Sequence, residues 1–221
     1  MASSTLPISS RLEKDNRSAR DRKFFNETVY GESRRLCRVY RYSSTPVNRL
    51  ESVAEHSWYV SYMALSLYYH IKIEDPDIQI DRGELLSRCI VHDLDECLTG
   101  DLPRPFKYSS PELKDAIHKA SMQMFEDYVY SNEVPEEILK TYKVAKEGPE
   151  GEIVSFCDLL GVLAYLHEEV KTGNRLIIHK ASEILNNLRS FQEIAKIPCL
   201  KRLAVLAAED AYGLHRYYTG A

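Results

Sequence analysis

The 221-residue chain is long enough for one sizeable core and short for two, and 44% of it is apolar. A formal net charge of −4 argues against a chain built to coat a nucleic-acid polymer, but a small anionic substrate can still be held by local basic residues. Five cysteines without a CxxC pair argue against a disulfide scaffold or a cysteine-zinc module, and no apolar run has signal-peptide or membrane-spanning character, so a cytoplasmic chain with no membrane partner is expected.

Residues 1–23 are polar and charged and read as a flexible arm; residues 24–221 read as one domain. From Phe24 onward the pattern is helical, with expected helices at 25–39, 53–72, 83–98, 111–131, 135–147, 151–172, 175–188 and 193–217. Ser52 and Glu55 have the spacing of a capping box before the second of these, and Asp81 is an N-cap candidate before the third. "TGDLPRPFKYSSPE" carries three prolines and must be a loop, while "EGPEG" and "KTGNR" mark later turns. The fold class expected is all-α. The late stretch "LAVLAAEDAYGLHRYY" reads either as the interface of a homo-oligomer, dimer or larger, or as a helix that closes the core.

Three apolar stripes carry polar residues that point inward. His56 lies in the stripe of Val53, Val60, Met63 and Leu67. The stripe of Leu85 and Cys89 runs on into His92, Asp93 and Glu96, and Asp158 lies among Val154, Gly161, Val162 and Tyr165. A lone histidine in such a place is usually a satisfied core residue, and a lone aspartate is usually a cap. Two histidines and two aspartates on the inward faces of three helices are harder to explain, because each buried unpaired carboxylate costs several kcal/mol. One divalent ion removes that cost, and two imidazoles with two carboxylates suit Co²⁺, Mn²⁺, Zn²⁺, Fe²⁺ or Ni²⁺ better than Ca²⁺.

A histidine, an adjacent His-Asp and a distant Asp, all on helices, resemble the HD-domain metal phosphohydrolases. The likeness sharpens in "VAEHS" at 53–57, "HDLDECLTGDLPRPFKY" at 92–108 and "CDLLGVLAYLHEEVKTGN" at 157–174. It is to the branch of the bacterial 5′-deoxynucleotidases and the phage dATP triphosphohydrolases. The resemblance implies a single helical HD-domain bundle with His56, His92, Asp93 and Asp158 as ligands of one metal ion. It implies Glu96 as the catalytic carboxylate, and Asp101 as a second carboxylate at the sugar and the active water. It further implies Arg41 and Lys107 as phosphate contacts. Tyr42 stands where the deoxynucleotidases commonly have tryptophan against the sugar. The expected activity is hydrolysis of a deoxynucleoside 5′-monophosphate, the alternative being release of triphosphate from a dNTP. The expected partner is therefore a deoxynucleotide. An inactive relic of the fold, serving as a scaffold, would have lost ligands or Glu96, and this chain has all of them.

Overall fold

The computed structural model describes residues 18–132 and 134–219, so residues 1–17 of the expected arm lie outside the described residues. Residues 18–24 are helical (α1) and run into a π-helical turn, Phe25–Val29, and a 3₁₀ helix, Glu32–Cys37, in place of the single helix expected at 25–39. The break falls at Gly31, whose backbone is extended (φ −74°, ψ 178°). The remaining helices are α2 (Val53–Glu74), α3 (Arg82–Val91), α4 (Glu96–Thr99), α5 (Arg104–Lys107), α6 (Pro111–Ser131), α7 (Glu136–Lys143), α8 (Gly148–Lys171), α9 (His179–Ile194) and α10 (Pro198–Thr219). Among the described residues the only β feature is an isolated antiparallel bridge between Tyr40 and Ser52.

Helix α2 starts where its capping box requires. Ser52 accepts from the Glu55 amide, and the Glu55 carboxylate accepts from the Ser52 amide at 2.7 Å. Its buried face is Val53, His56, Val60, Ala64, Leu67 and Ile71, the 3–4 spacing of one stripe. That face packs against α3 and α8, and α8 in turn supports α9 and α10. Ile153, Phe156, Leu166, Leu188 and Leu200 fill the space between them. Each such side chain contributes roughly 1.5–3 kcal/mol by leaving water. A smaller cluster of Phe125, Val129 and Leu139 joins α6 to α7. In α10, Leu200, Ala204, Ala207, Ala208 and Ala211 face the core, so that helix closes the bundle.

The expected helix 83–98 is two helices. After Val91 the chain tightens: the Leu94 amide donates to Val91, Glu96 to Asp93 and Cys97 to Leu94, each three residues back. Three residues per turn put side chains i and i+3 over one another. Asp93 and Glu96 therefore share a side, whereas regular helical spacing would pair His92 with Glu96.

A buried carboxylate fixes the loop after Tyr42. Glu169 accepts from the amides of Asn48 and Arg49, both at 2.8 Å, and from Asn174 Nδ2 at 2.6 Å. Burial pushes its pKa up, but these donors outweigh burial and hold it below the usual carboxylate value. Glu169→Ala leaves buried amides unpartnered and should cost about 2–4 kcal/mol. The check is thermal unfolding, with Tm lower by roughly 6–12 °C. Because the folded-state pKa is depressed, the stabilisation is present above the unfolded value, 4.5, and is lost as pH falls through the folded one.

Candidate active site

Two short backbone stretches pair ahead of α2. The Arg41 amide donates to Glu51 and the Val53 amide to Val39, both at 2.9 Å. This pairing sets Arg41 and Tyr42 beside the N-terminal turns of α2. Tyr42 has φ +59°, a left-handed backbone that costs a bulky residue about 1–3 kcal/mol. Its surroundings fix it there. The Tyr42 amide donates to Asp101 Oδ2 at 3.2 Å, and its ring stacks on Tyr165 with centroids 4.8 Å apart and planes 6° apart. The Tyr42 hydroxyl is buried and has no hydrogen-bond partner among the described residues.

The four sequence-predicted ligands come together. One donor atom from each of His56, His92, Asp93 and Asp158 lies within 4.8 Å of all the others. His56 sits on α2, Asp158 on α8, and His92 and Asp93 at the C-terminal end of α3. Gly161 is what lets α8 come this close, because a Cβ there would stand 2.9 Å from His56 Cε1. His92 Nδ1 donates to the Cys89 carbonyl at 2.8 Å, so Nε2 carries the lone pair. That atom is buried and, although 3.0 Å from Asp93 Oδ2, makes no hydrogen bond among the described residues. An orphaned imidazole nitrogen beside two carboxylates is the donor set of a divalent-ion site.

His56 is tuned differently. Arg41 NH1 stands 2.6 Å from His56 Nδ1, and a guanidinium only donates, so Nδ1 accepts and Nε2 carries the ring proton to Asp158 Oδ1 at 3.2 Å. Coordination through Nε2 needs the other tautomer, and with it a small withdrawal of Arg41 toward Glu51, which accepts from the same nitrogen at 2.9 Å. Burial and then the Arg41 charge push His56 down to about 4, so the ring is neutral at neutral pH. Burial also opposes charge on His92, but Asp93 outweighs it and raises the pKa. The carboxylates thus draw positive charge into the cluster, the place a dication fills.

The cluster opens into a cleft of about 600 Å³, whose lining includes Arg41, Tyr42, Glu96, Asp101, Lys107 and Lys146. All the sequence-predicted substrate and catalytic residues therefore face the space beside Asp93 and Asp158. Burial pushes the Glu96 carboxyl up to about 10, with Asp93, Asp101 and Asp95 adding to the rise and Arg41 opposing it. Asp101 spends one oxygen on the Tyr42 amide, so it also builds the turn that presents Arg41 and Tyr42. Arg104, a weaker candidate in the same loop, pairs with Glu183 at 3.3 Å.

Sequence reading missed Glu51, which holds Arg41, and Lys146, which donates to Asp158 Oδ2 at 2.8 Å. Glu51 is ten residues from Arg41 across an irregular bridge, with no periodicity to connect them. Lys146 looks like a solvated charge in a turn. A second grouping, His70, Glu74 and Cys199, also has donors within 4.8 Å of one another. There Arg202 donates to Glu74 at 2.5 Å and already neutralises it.

The chain is similar to known proteins in sequence and in fold. A 5′-deoxynucleotidase of Klebsiella pneumoniae is 31% identical over 131 residues, which are 57% of this chain and 64% of that protein. The matched stretch is thus just under two thirds of that relative's length. An HD-domain phosphohydrolase from Listeria innocua superposes with a TM-score of 0.65 at 23% identity, covering 87% of this chain and 97% of the other. The HD phosphohydrolase of cyanophage S-2L, solved with dA and one catalytic Zn²⁺ ion, superposes with a TM-score of 0.53 at 19% identity, covering 88% and 98%. These two likenesses establish the fold. Residues 28–203 match the model of the 5′-deoxynucleotidase YfbR-like family, and a match over most of the chain, on an HD-type helical fold, makes this protein a member of it.

Proposed function

We propose that the protein is a metal-dependent 5′-deoxynucleotidase, which converts a deoxynucleoside 5′-monophosphate to deoxynucleoside and phosphate. The observation that carries this is the convergence of His56, His92, Asp93 and Asp158, of which the two aspartates line a cleft shared with Glu96 and with basic residues. The names of the relatives, and the dA and Zn²⁺ in the phage protein, support it. Residues 24–221 act as the one catalytic domain in this reading.

The four clustered residues would hold one divalent ion. When bound, such an ion polarises a phosphoryl oxygen and acidifies water. Glu96 exchanges a proton with the attacking water or with the leaving oxygen. Asp101 holds the sugar and keeps the Arg41–Tyr42 turn in place. Arg41 and Lys107 bind phosphate oxygens, and Tyr42 packs against the sugar. Release of triphosphate from a dNTP would use the same cluster. However, Arg34, Arg35 and Arg38, which could extend the phosphate site, do not line the cleft, and this supports the monophosphate.

The test is a panel of dNMPs, NMPs and dNTPs with Co²⁺ or Mn²⁺, with phosphate separated from triphosphate among the products. Phosphate from dNMPs is expected; triphosphate from dNTPs alone would reverse the assignment. Tyr42→Ala should lower the dNMP-to-NMP rate ratio by about tenfold or more. An unchanged ratio means that Tyr42 does not read the sugar. We further propose a homo-oligomer. The exposed aromatic group of Trp58, Tyr59 and Tyr62 on α2 supports it, and light scattering tests it.

A further inference from the structure

We propose that Lys146 is a phosphate-binding residue, which takes a phosphoryl oxygen of the substrate on the Asp158 side of the ligand cluster; the proposal rests on the nucleotidase reading. The turn "KEGPEG" delivers it. The backbone of Lys146 lies directly against the first turn of α8, where a Cβ on Gly151 would fall 2.2 Å from the Lys146 carbonyl carbon. Only glycine at 151 leaves the chain in that position. The next residue, Glu147, is held from both sides: its carbonyl accepts from Arg88 NH1 at 2.5 Å and from the Gly151 amide at 3.1 Å. From there the lysine side chain reaches Asp158 on α8.

The ammonium has three donors and spends one of them, on Asp158 Oδ2 at 2.8 Å. Asp158 Oδ1 is the oxygen that faces His56, so Lys146 does not compete for the atom turned toward the cluster. Its side chain is 48% exposed and lines the cleft, which leaves its other donors open to a ligand there. Three other cations of the cleft are more committed. Arg41 is held by Glu51 and stands against His56, while Arg104 and Lys180 both pair with Glu183.

Charge supplies the need. Two aspartates and a dication sum to zero, and Glu96 and Asp101 add acidic character to the same cleft. A phosphate entering there gains from a fixed cation beside the cluster, and a lysine acts as a point charge without a demand for bidentate geometry. The rival role is purely positioning, in which Lys146 would only orient Asp158.

The experiment uses the cobalt-loaded full chain as wild type, Lys146→Met and Lys146→Arg. Calorimetry measures inorganic phosphate binding, and equilibrium dialysis measures cobalt affinity. Lys146→Met should weaken phosphate binding by about tenfold or more, Lys146→Arg should stay within about threefold of wild type, and cobalt affinity should stay within about threefold throughout. Unchanged phosphate affinity in Lys146→Met overturns the proposal. So does a parallel loss of cobalt, which assigns Lys146 to positioning Asp158. Lys146-dependent phosphate binding in a protein that hydrolyses none of the nucleotides upholds the residue's role and overturns the nucleotidase reading instead.

Discussion

Asp158→Ala is expected to lower divalent-ion affinity by at least about 100-fold and to abolish phosphate release, while the helical bundle stays folded. Asp158 is the one proposed ligand that α8 supplies; His56 comes from α2, and His92 and Asp93 from the end of α3. Burial opposes its ionisation, but Lys146, then His56 and His92, hold its pKa well below the ordinary carboxylate range. It is therefore charged at neutral pH and ready to bind a cation. The bundle does not depend on it, because the core of α8 is made by Ile153, Val154, Phe156, Cys157 and Leu166. Removing Asp158 leaves Lys146 free to turn into the open cleft and His56 without its carboxylate. Equilibrium dialysis and circular dichroism are the readouts. Full ion occupancy with native helicity in the variant would contradict the assignment of Asp158 as a ligand.

The second large effect is expected from Glu96→Gln, which keeps the shape of the side chain and removes its capacity to exchange a proton. The rate should fall by about 10²–10⁴-fold with ion occupancy unchanged. Glu96 shares a side with Asp93 because the chain tightens after Val91, and its carboxyl faces the cleft beside the ligand cluster. Burial and three neighbouring carboxylates favour its protonated form, whereas Arg41 pulls the other way, as would a bound dication. A carboxyl poised between these influences can carry a proton to a leaving oxygen or take one from water. A Gln variant as active as wild type would remove Glu96 from the mechanism.

Much of this site was legible in the chain itself. His56 and Asp158 interrupt apolar stripes at helical spacing, and the structure places both at the junction those stripes form. Ser52 and Asp81 cap helices where local chemistry asks them to. Legibility fails where the backbone departs from regular helix. The tight turn after Val91 has no periodic signature, so regular helical spacing pairs Glu96 with His92, whereas its partner on the same side is Asp93. The left-handed backbone of Tyr42 depends on Asp101 and Tyr165, which are far away in sequence, and no local pattern announces it. Lys146 fails for a different reason. A lysine in a turn has the appearance of a surface charge, and only the close pass of Gly151 turns its stem along α8 toward Asp158. Irregular segments, tied together by contacts between distant residues, carry the parts that periodicity cannot read.

The most direct measurement is anomalous X-ray scattering from crystals of the protein grown with zinc or cobalt. A single strong peak is predicted, about 2.0–2.2 Å from one donor atom of each of His56, His92, Asp93 and Asp158. A peak held by other residues, or none at this cluster in metal-saturated crystals, would contradict the account.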